Sequence, residues 1–151
     1  MAREEVEDLA AARARLDALA GLPAVPVYAA PGLRAFAVRE AEGVLLLAAD
    51  RFAPADWDAV VRRLFAGDLA LIMHDAKPTY VELLEGGYPA QGVAFDTSIA
   101  AYLLDPTASA YDLDRVALSY LGRELPQADL AAEDAFSPLG ARDASLGRMA
   151  E

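Results

Sequence analysis

Apolar and polar positions along the chain alternate between two periods, and the switches mark the elements. Val6, Leu9, Ala12, Leu16 and Leu19 recur at helical spacing with charges between them, which predicts a helix over Arg3–Ala20, stopped by Gly21 and Pro23. Three strand-length segments follow: Ala24–Ala29, Leu33–Arg39 and Gly43–Ala48. Pro31-Gly32 and Ala41-Glu42-Gly43 are turn signals between them, so the three strands read as an antiparallel meander. The pattern then returns to helical spacing in Pro54–Ala66, with Trp57, Val60, Val61, Leu64 and Phe65 on one face. Leu69–Met73 predicts a short buried strand, Pro78–Glu85 a helix ended by Gly86-Gly87, and Gly92–Phe95 another strand. Asp96 is placed to cap a helix carrying Ile99, Tyr102, Leu103 and Leu104, because its side chain can accept a first-turn amide. A helix from Tyr111-Asp112 to Leu121 ends at Gly122, and a last one runs from Pro138 with Leu139, Leu146 and Met149. A meander followed by alternating helices and strands predicts a mixed α/β sheet with helices on both faces.

Composition narrows the chemistry. At 151 residues the chain is one domain's worth, and 56% apolar content suits a globule. Cysteine is absent and His74 is the single histidine, so thiolate chemistry and Cys- or His-rich metal sites are excluded. The formal charge is −11 and Lys77 is the only lysine. A surface that holds nucleic acid by itself gains affinity from Lys and Arg, so autonomous DNA binding is not expected. The N-terminus lacks a charged-then-apolar leader and no apolar run is long enough to span a bilayer, which predicts a cytoplasmic location without a membrane partner.

Several residues are candidates for chemistry. His74-Asp75 is a possible acid–base dyad, but neighbours at a strand end point apart, and a polar strand-to-helix turn is the plainer reading. Asp112 and Asp114 read as helix-start acids, Lys77 as an exposed loop cation, and Tyr102, Tyr111 and Tyr120 as core packing. Gly86-Gly87 follows a helix instead of preceding one, the wrong polarity for a phosphate loop.

The run His74-Asp-Ala-Lys-Pro-Thr-Tyr-Val-Glu-Leu-Leu84, continuing through Gly92-Val-Ala-Phe-Asp-Thr-Ser-Ile-Ala-Ala-Tyr-Leu-Leu-Asp-Pro106, resembles the proofreading (3′→5′) exonuclease domain of bacterial DNA polymerase I. The resemblance extends from Ala24 to Glu151 and is strongest over Leu71–Leu125. It implies an RNase H-like, DnaQ-like exonuclease sheet as a single domain over 1–151, with an N-terminal helix over 1–21 and an α/β body over 22–151. Members of that family hold two divalent metals with four acids: an Asp-x-Glu pair on the first strand, the Asp closing an Asn-x-x-x-Asp motif, and the Asp of a Tyr-x-x-x-Asp motif. Hard cations require such oxygen ligands. Here the first strand offers only Val25, Pro26, Val27 and Tyr28, with Pro26 and Tyr28 at the degenerate positions. Asp75-Ala-Lys-Pro-Thr79 occupies the second frame, with Thr79 in place of the ligand. Leu139-Gly-Ala-Arg-Asp143 occupies the third, keeping Asp143 but replacing the tyrosine with Leu139.

The expectation is therefore a vestigial exonuclease domain with no metal of its own. Mg²⁺ would belong to the polymerase domain expected after Glu151, the partner this domain supports as a monomer, and DNA would be met only through that parent enzyme. Two alternatives stay open: a residual nuclease in which Asp75, Asp96 and Asp143 regroup around one metal, and a free-standing interaction module with an exposed apolar patch.

Overall fold

The computed structural model describes residues 2–126. Six strands form one sheet: β1 (Ala2–Glu5), β2 (Val25–Ala29), β3 (Ala35–Arg39), β4 (Gly43–Ala48), β5 (Leu71–Met73) and β6 (Val93–Asp96). Their order across the sheet is β1-β4-β3-β2-β5-β6. The helices are α1 (Leu9–Ala18), α2 (Pro54–Leu64), α3 (Lys77–Glu85), α4 (Thr97–Leu104) and α5 (Leu113–Leu121). Strands β2, β3 and β4 form the expected antiparallel meander, while β2, β5 and β6 run parallel to one another.

The chain start departs from the expected helix. Residues 2–5 are a strand parallel to β4, with Ala2 opposite Gly43 and Glu5 opposite Leu46. The helix begins only at Leu9, where the Asp8 carboxylate accepts the Ala11 amide at 2.8 Å. Arg3, Glu4 and Glu5 are good helix formers, but tertiary pairing overrides that preference. Arg15 reaches Glu4 at 2.9 Å and Arg51 reaches Glu5 at 3.0 Å, so the charged edge strand is tied down by ion pairs. Gly43 makes the pairing possible, because a Cβ there would lie 2.3 Å from the Ala2 carbonyl oxygen. The N-terminal segment is thus part of the body: Val6, Ala12, Leu16 and Leu19 are buried in the main core. The expected C-terminal helix, with Leu139 and Asp143, lies outside the described residues.

Strand alternation divides the core. Val25, Val27, Phe36, Val38, Leu45 and Leu47 face one side, where Leu16 of α1 and Val60, Val61 and Leu64 of α2 join them. Ala35, Ala37, Val44, Leu46 and Ala48 form a second buried cluster, against which Tyr28 packs. Trp57 stacks on Phe36 with ring centroids 5.5 Å apart, and its indole N–H donates to the Leu33 carbonyl at 3.1 Å. Helix α5 closes at Gly122, which takes the left-handed conformation (φ 64°) that glycine adopts without strain.

Candidate functional site

The carboxyl ends of β2 and β5, the start of α3 and the start of α4 meet at one end of the sheet. Parallel strands place their ligand crevices at this end. Strand β2 contributes Pro26 and Tyr28. The buried Val25 and Val27 point into the main core, so the alternating Pro26 and Tyr28 turn to the other side, where both are only half-buried. Pro26 is tolerated in a central strand because the ladder to β3 stops at Val27 opposite Val38, so no partner on that side awaits its missing amide. Burial pushes the Tyr28 hydroxyl above the ordinary tyrosine range.

Tyr28 and Thr79 line the same cavity of about 290 Å³, together with Met73, His74, Asp75 and Glu82. Two of the positions at which the family's acids are expected therefore share one cavity, and neither is a carboxylate. Thr79 is only 8% exposed. Glu82 is turned outward to accept the Gly32 amide at 2.9 Å. Among the described residues, no group of three or more His, Asp or Glu side chains is placed to hold a metal ion. The residues at this site do not fit a pair of hard divalent cations.

Asp96 is the best-connected acid of the site. Its carboxylate accepts the Asp75 amide at 3.1 Å, the Ala76 amide at 2.8 Å, the Ser98 amide at 2.8 Å and the Ser98 hydroxyl at 2.7 Å. It caps α4, as the sequence predicts, and also closes the turn before α3. Asp75 takes a left-handed backbone (φ 53°), which aims the two successive amides of Asp75 and Ala76 at the same anion. Burial raises the affinity of the Asp96 carboxylate for a proton, but the bonds from Ala76, Ser98 and Asp75 outweigh it and hold the group below the ordinary carboxylate range. Asp75 and Asp96 are therefore neighbours through the Asp75 backbone, with the Asp96 oxygens already engaged. Asp143 lies outside the described residues.

His74 is turned away from Asp75. Its Nδ1 lies 2.8 Å from the Thr97 hydroxyl, which in turn donates to the Met73 carbonyl at 3.4 Å. The imidazole is thus held by Thr97, and no hydrogen bond between His74 and Asp75 is present among the described residues. Thr97 and Ser98, which fix the imidazole and the Asp96 carboxylate, were not singled out in the sequence. The Asp-Thr-Ser that follows an apolar strand is the signal that could have found them. Asp112 occupies the cap position of α5 without a side-chain cap bond, and Asp114 lies in its first turn. Lys77 is exposed at the start of α3. Tyr102 and Tyr120 are exposed, against the core-packing expectation. Tyr102 meets Tyr111 edge to face at 5.7 Å on the outside of α4 and α5.

The arginines are largely engaged. Arg62 pairs with Asp58 at 2.9 Å, and Arg63 with Asp17 at 2.5 Å and Asp68 at 2.8 Å. Arg34 and Arg39 donate to backbone carbonyls.

Against known proteins, residues 28–129 match the family model described as DNA polymerase I, ribonuclease H-like domain. DNA polymerase I of Mycobacterium leprae (strain TN) is 36% identical over 86 residues, which is 57% of this chain and 9% of that protein. DNA polymerase I of Mycobacterium tuberculosis (strain ATCC 25618 / H37Rv) is 42% identical over 53 residues, covering 35% of this chain and 6% of the relative. The match thus spans less than a tenth of these relatives' length. Among solved structures, the POL domain of Pol1 from M. smegmatis, in complex with DNA primer-template and dNTP, superposes with a TM-score of 0.68 at 24% identity, covering 97% of this chain and 26% of that one. Escherichia coli RNase D, an exoribonuclease involved in structured RNA processing, gives 0.71 at 14% identity over 99% of this chain and 41% of its own. The last two likenesses speak to fold, which is the RNase H-like exonuclease sheet expected from the sequence. With the family model covering most of its described length, the chain belongs to the DNA polymerase I ribonuclease H-like domain family.

Proposed function

We propose that this domain has lost the two-metal nuclease chemistry of its family and serves as a structural support for the polymerase portion of a bacterial, cytoplasmic DNA polymerase I in replication and repair. The observation that carries the reading is the pairing of Tyr28 with a buried Thr79 in the cavity where acids would be needed. Neither a phenol held protonated by burial nor a hydroxyl replaces a carboxylate against the hydration of Mg²⁺. Any Mg²⁺ then works in the polymerase portion, and DNA is held there. The overall charge of −11 and the arginines already paired with acids support that division.

A residual one-metal nuclease built on Asp75, Asp96 and Asp143 is the weaker reading, because metal binding would have to compete with five hydrogen bonds to the Asp96 carboxylate. A free-standing interaction module draws on exposed apolar side chains of α4 and α5, but the much greater length of the relatives favours a domain within a polymerase. Calorimetric titration of the 151-residue chain with MgCl₂ and MnCl₂ tests the reading. Weak, non-stoichiometric heats are expected, and one stoichiometric site of sub-millimolar affinity overturns it.

A further inference from the structure

The cavity that Thr79 lines continues into a larger one of about 690 Å³. Tyr28, His74 and Asp75 line both, so the two form one cleft at the carboxyl ends of β2 and β5. The larger part is walled by the starts of α4 and α5, through Ser98, Ile99, Tyr102, Tyr111, Asp112 and Asp114. The charge of the cleft is one-sided. Asp75 and Glu82 stand in the smaller part, Asp112 and Asp114 join Asp75 in the larger, and among the described residues no lysine or arginine lines either. Among those residues Asp75 is engaged through its amide and not its carboxylate. Glu82 gives one carboxylate oxygen to the Gly32 amide and keeps the other. Thr79 is 8% exposed, lines the smaller part, and has no hydrogen-bond partner for its hydroxyl among the described residues. A hydroxyl buried to that degree calls for a partner, and the cavity is where one fits.

These features select the chemistry of an occupant. Anionic ligands are repelled, because four carboxylates and no Lys or Arg of the described residues surround the space. A hard metal ion needs several oxygens converged on one point, and the described acids are not so placed. A cation whose charge is spread along a flexible chain needs no such convergence. Each ammonium carries three donors and asks only for acceptors close to it, while the methylenes between ask for apolar wall. Met73 supplies that wall in the smaller part, and Ile99 and Leu113 in the larger. Tyr102 and Tyr111, edge to face at 5.7 Å, add ring faces that attract an ammonium. We propose that the cleft binds a linear aliphatic polyamine. One ammonium lies among Asp75, Glu82 and the Thr79 hydroxyl, and the next lies among Asp112, Asp114 and the tyrosine pair.

The test titrates the nitrogen-15-labelled 151-residue chain with spermidine and follows its amide signals. In about 150 mM NaCl, diffuse attraction to a surface of charge −11 is screened. Saturating shifts at Asp75, Thr79, Ser98 and Tyr111, at one spermidine per chain, are expected. Asp75→Asn suits the left-handed backbone at that position (φ 53°) and should weaken binding about tenfold. Thr79→Val should weaken it about fivefold and Tyr102→Leu about threefold. Glu42→Gln, exposed in the β3–β4 turn at the other end of the sheet, should leave it unchanged. n-Butylamine, with a single ammonium, should bind at least about tenfold more weakly than spermidine. Shifts that never saturate, that spread over the acidic surface or that survive Asp75→Asn overturn the proposal. Butylamine binding as tightly as spermidine overturns it too, and so does an absence of binding to the 151-residue chain, whatever fills the cleft instead.

Discussion

At the scale of single residues, the site at the carboxyl ends of β2 and β5 is organised around one carboxylate, Asp96, which holds the turn before α3 and the start of α4. Asp96→Ala removes the cap of α4 and strands the amides of Asp75 and Ala76, so it should lower stability by about 2 kcal/mol at neutral pH. The folded carboxylate loses its proton more readily than the unfolded one. Its stabilisation is therefore fully present above the unfolded value of about 3.9 and is lost as pH falls through the lower, folded value. The difference between the two proteins in denaturant melts should shrink as pH falls from about 3.9 through the lower, folded value; a difference that stays constant over that fall would remove the carboxylate from the account. Thr79→Asp makes the opposite case. At 8% exposure and without a cation, the new acid should have a raised folded pKa and cost about 2–4 kcal/mol at pH 7. The penalty should ease as pH falls from the raised value toward about 3.9. A variant as stable as the parent at neutral pH would mean that the cavity accepts a carboxylate after all. That Pro26, Tyr28 and Thr79 are not acids is plain from the sequence, and the structure adds that Tyr28 and Thr79 line one cavity. The double duty of Asp96 was only half legible, since the left-handed turn at Asp75 carries no glycine or asparagine to announce it.

At the scale of elements, period and turn chemistry placed most of the fold. The meander strands, α2 with its Pro54 start, and α5 with its Gly122 end all stand within a residue or two of their expected limits. The failure at β1 is instructive. Arg3, Glu4 and Glu5 have no apolar alternation, because an edge strand held by Arg15 and Arg51 from neighbouring elements needs none. Only the small residue at position 43 in β4 hinted at close approach, and a glycine after Ala41-Glu42 reads first as a turn. Gly43→Ala should therefore detach β1 locally. Its Cβ would sit 2.3 Å from the Ala2 carbonyl oxygen, so the strand must move. We expect a loss of about 1–2 kcal/mol, the lower end reflecting the smaller unfolded-state entropy of alanine. Hydrogen exchange of the Val6 amide, now bonded to Leu46 at 3.3 Å, should rise well above that of β3. Unchanged protection at Val6 would show that β1 is not held by this contact. The exposed face of α4 and α5 was misread from sequence for a related reason: a helix apolar all round looks the same whether its own domain or a neighbour covers it.

At the scale of the whole molecule, the chain has the RNase H-like sheet of its family, while the positions at which the resemblance places the family's acids carry proline, tyrosine and threonine. The proposed loss of nuclease chemistry requires fold and chemistry to separate, as they can when the sheet is stabilised by its core and an activity by a few side chains at its edge. The measurement that reaches this claim most directly is degradation of a 5′-labelled single-stranded oligonucleotide by the purified chain with Mg²⁺ or Mn²⁺, read beside an active exonuclease of the same fold. The account predicts an intact oligonucleotide with either metal and at any enzyme concentration. Shortening from the 3′ end that needs the metal, scales with the chain and disappears in a Thr79→Val or Asp75→Asn variant would contradict it.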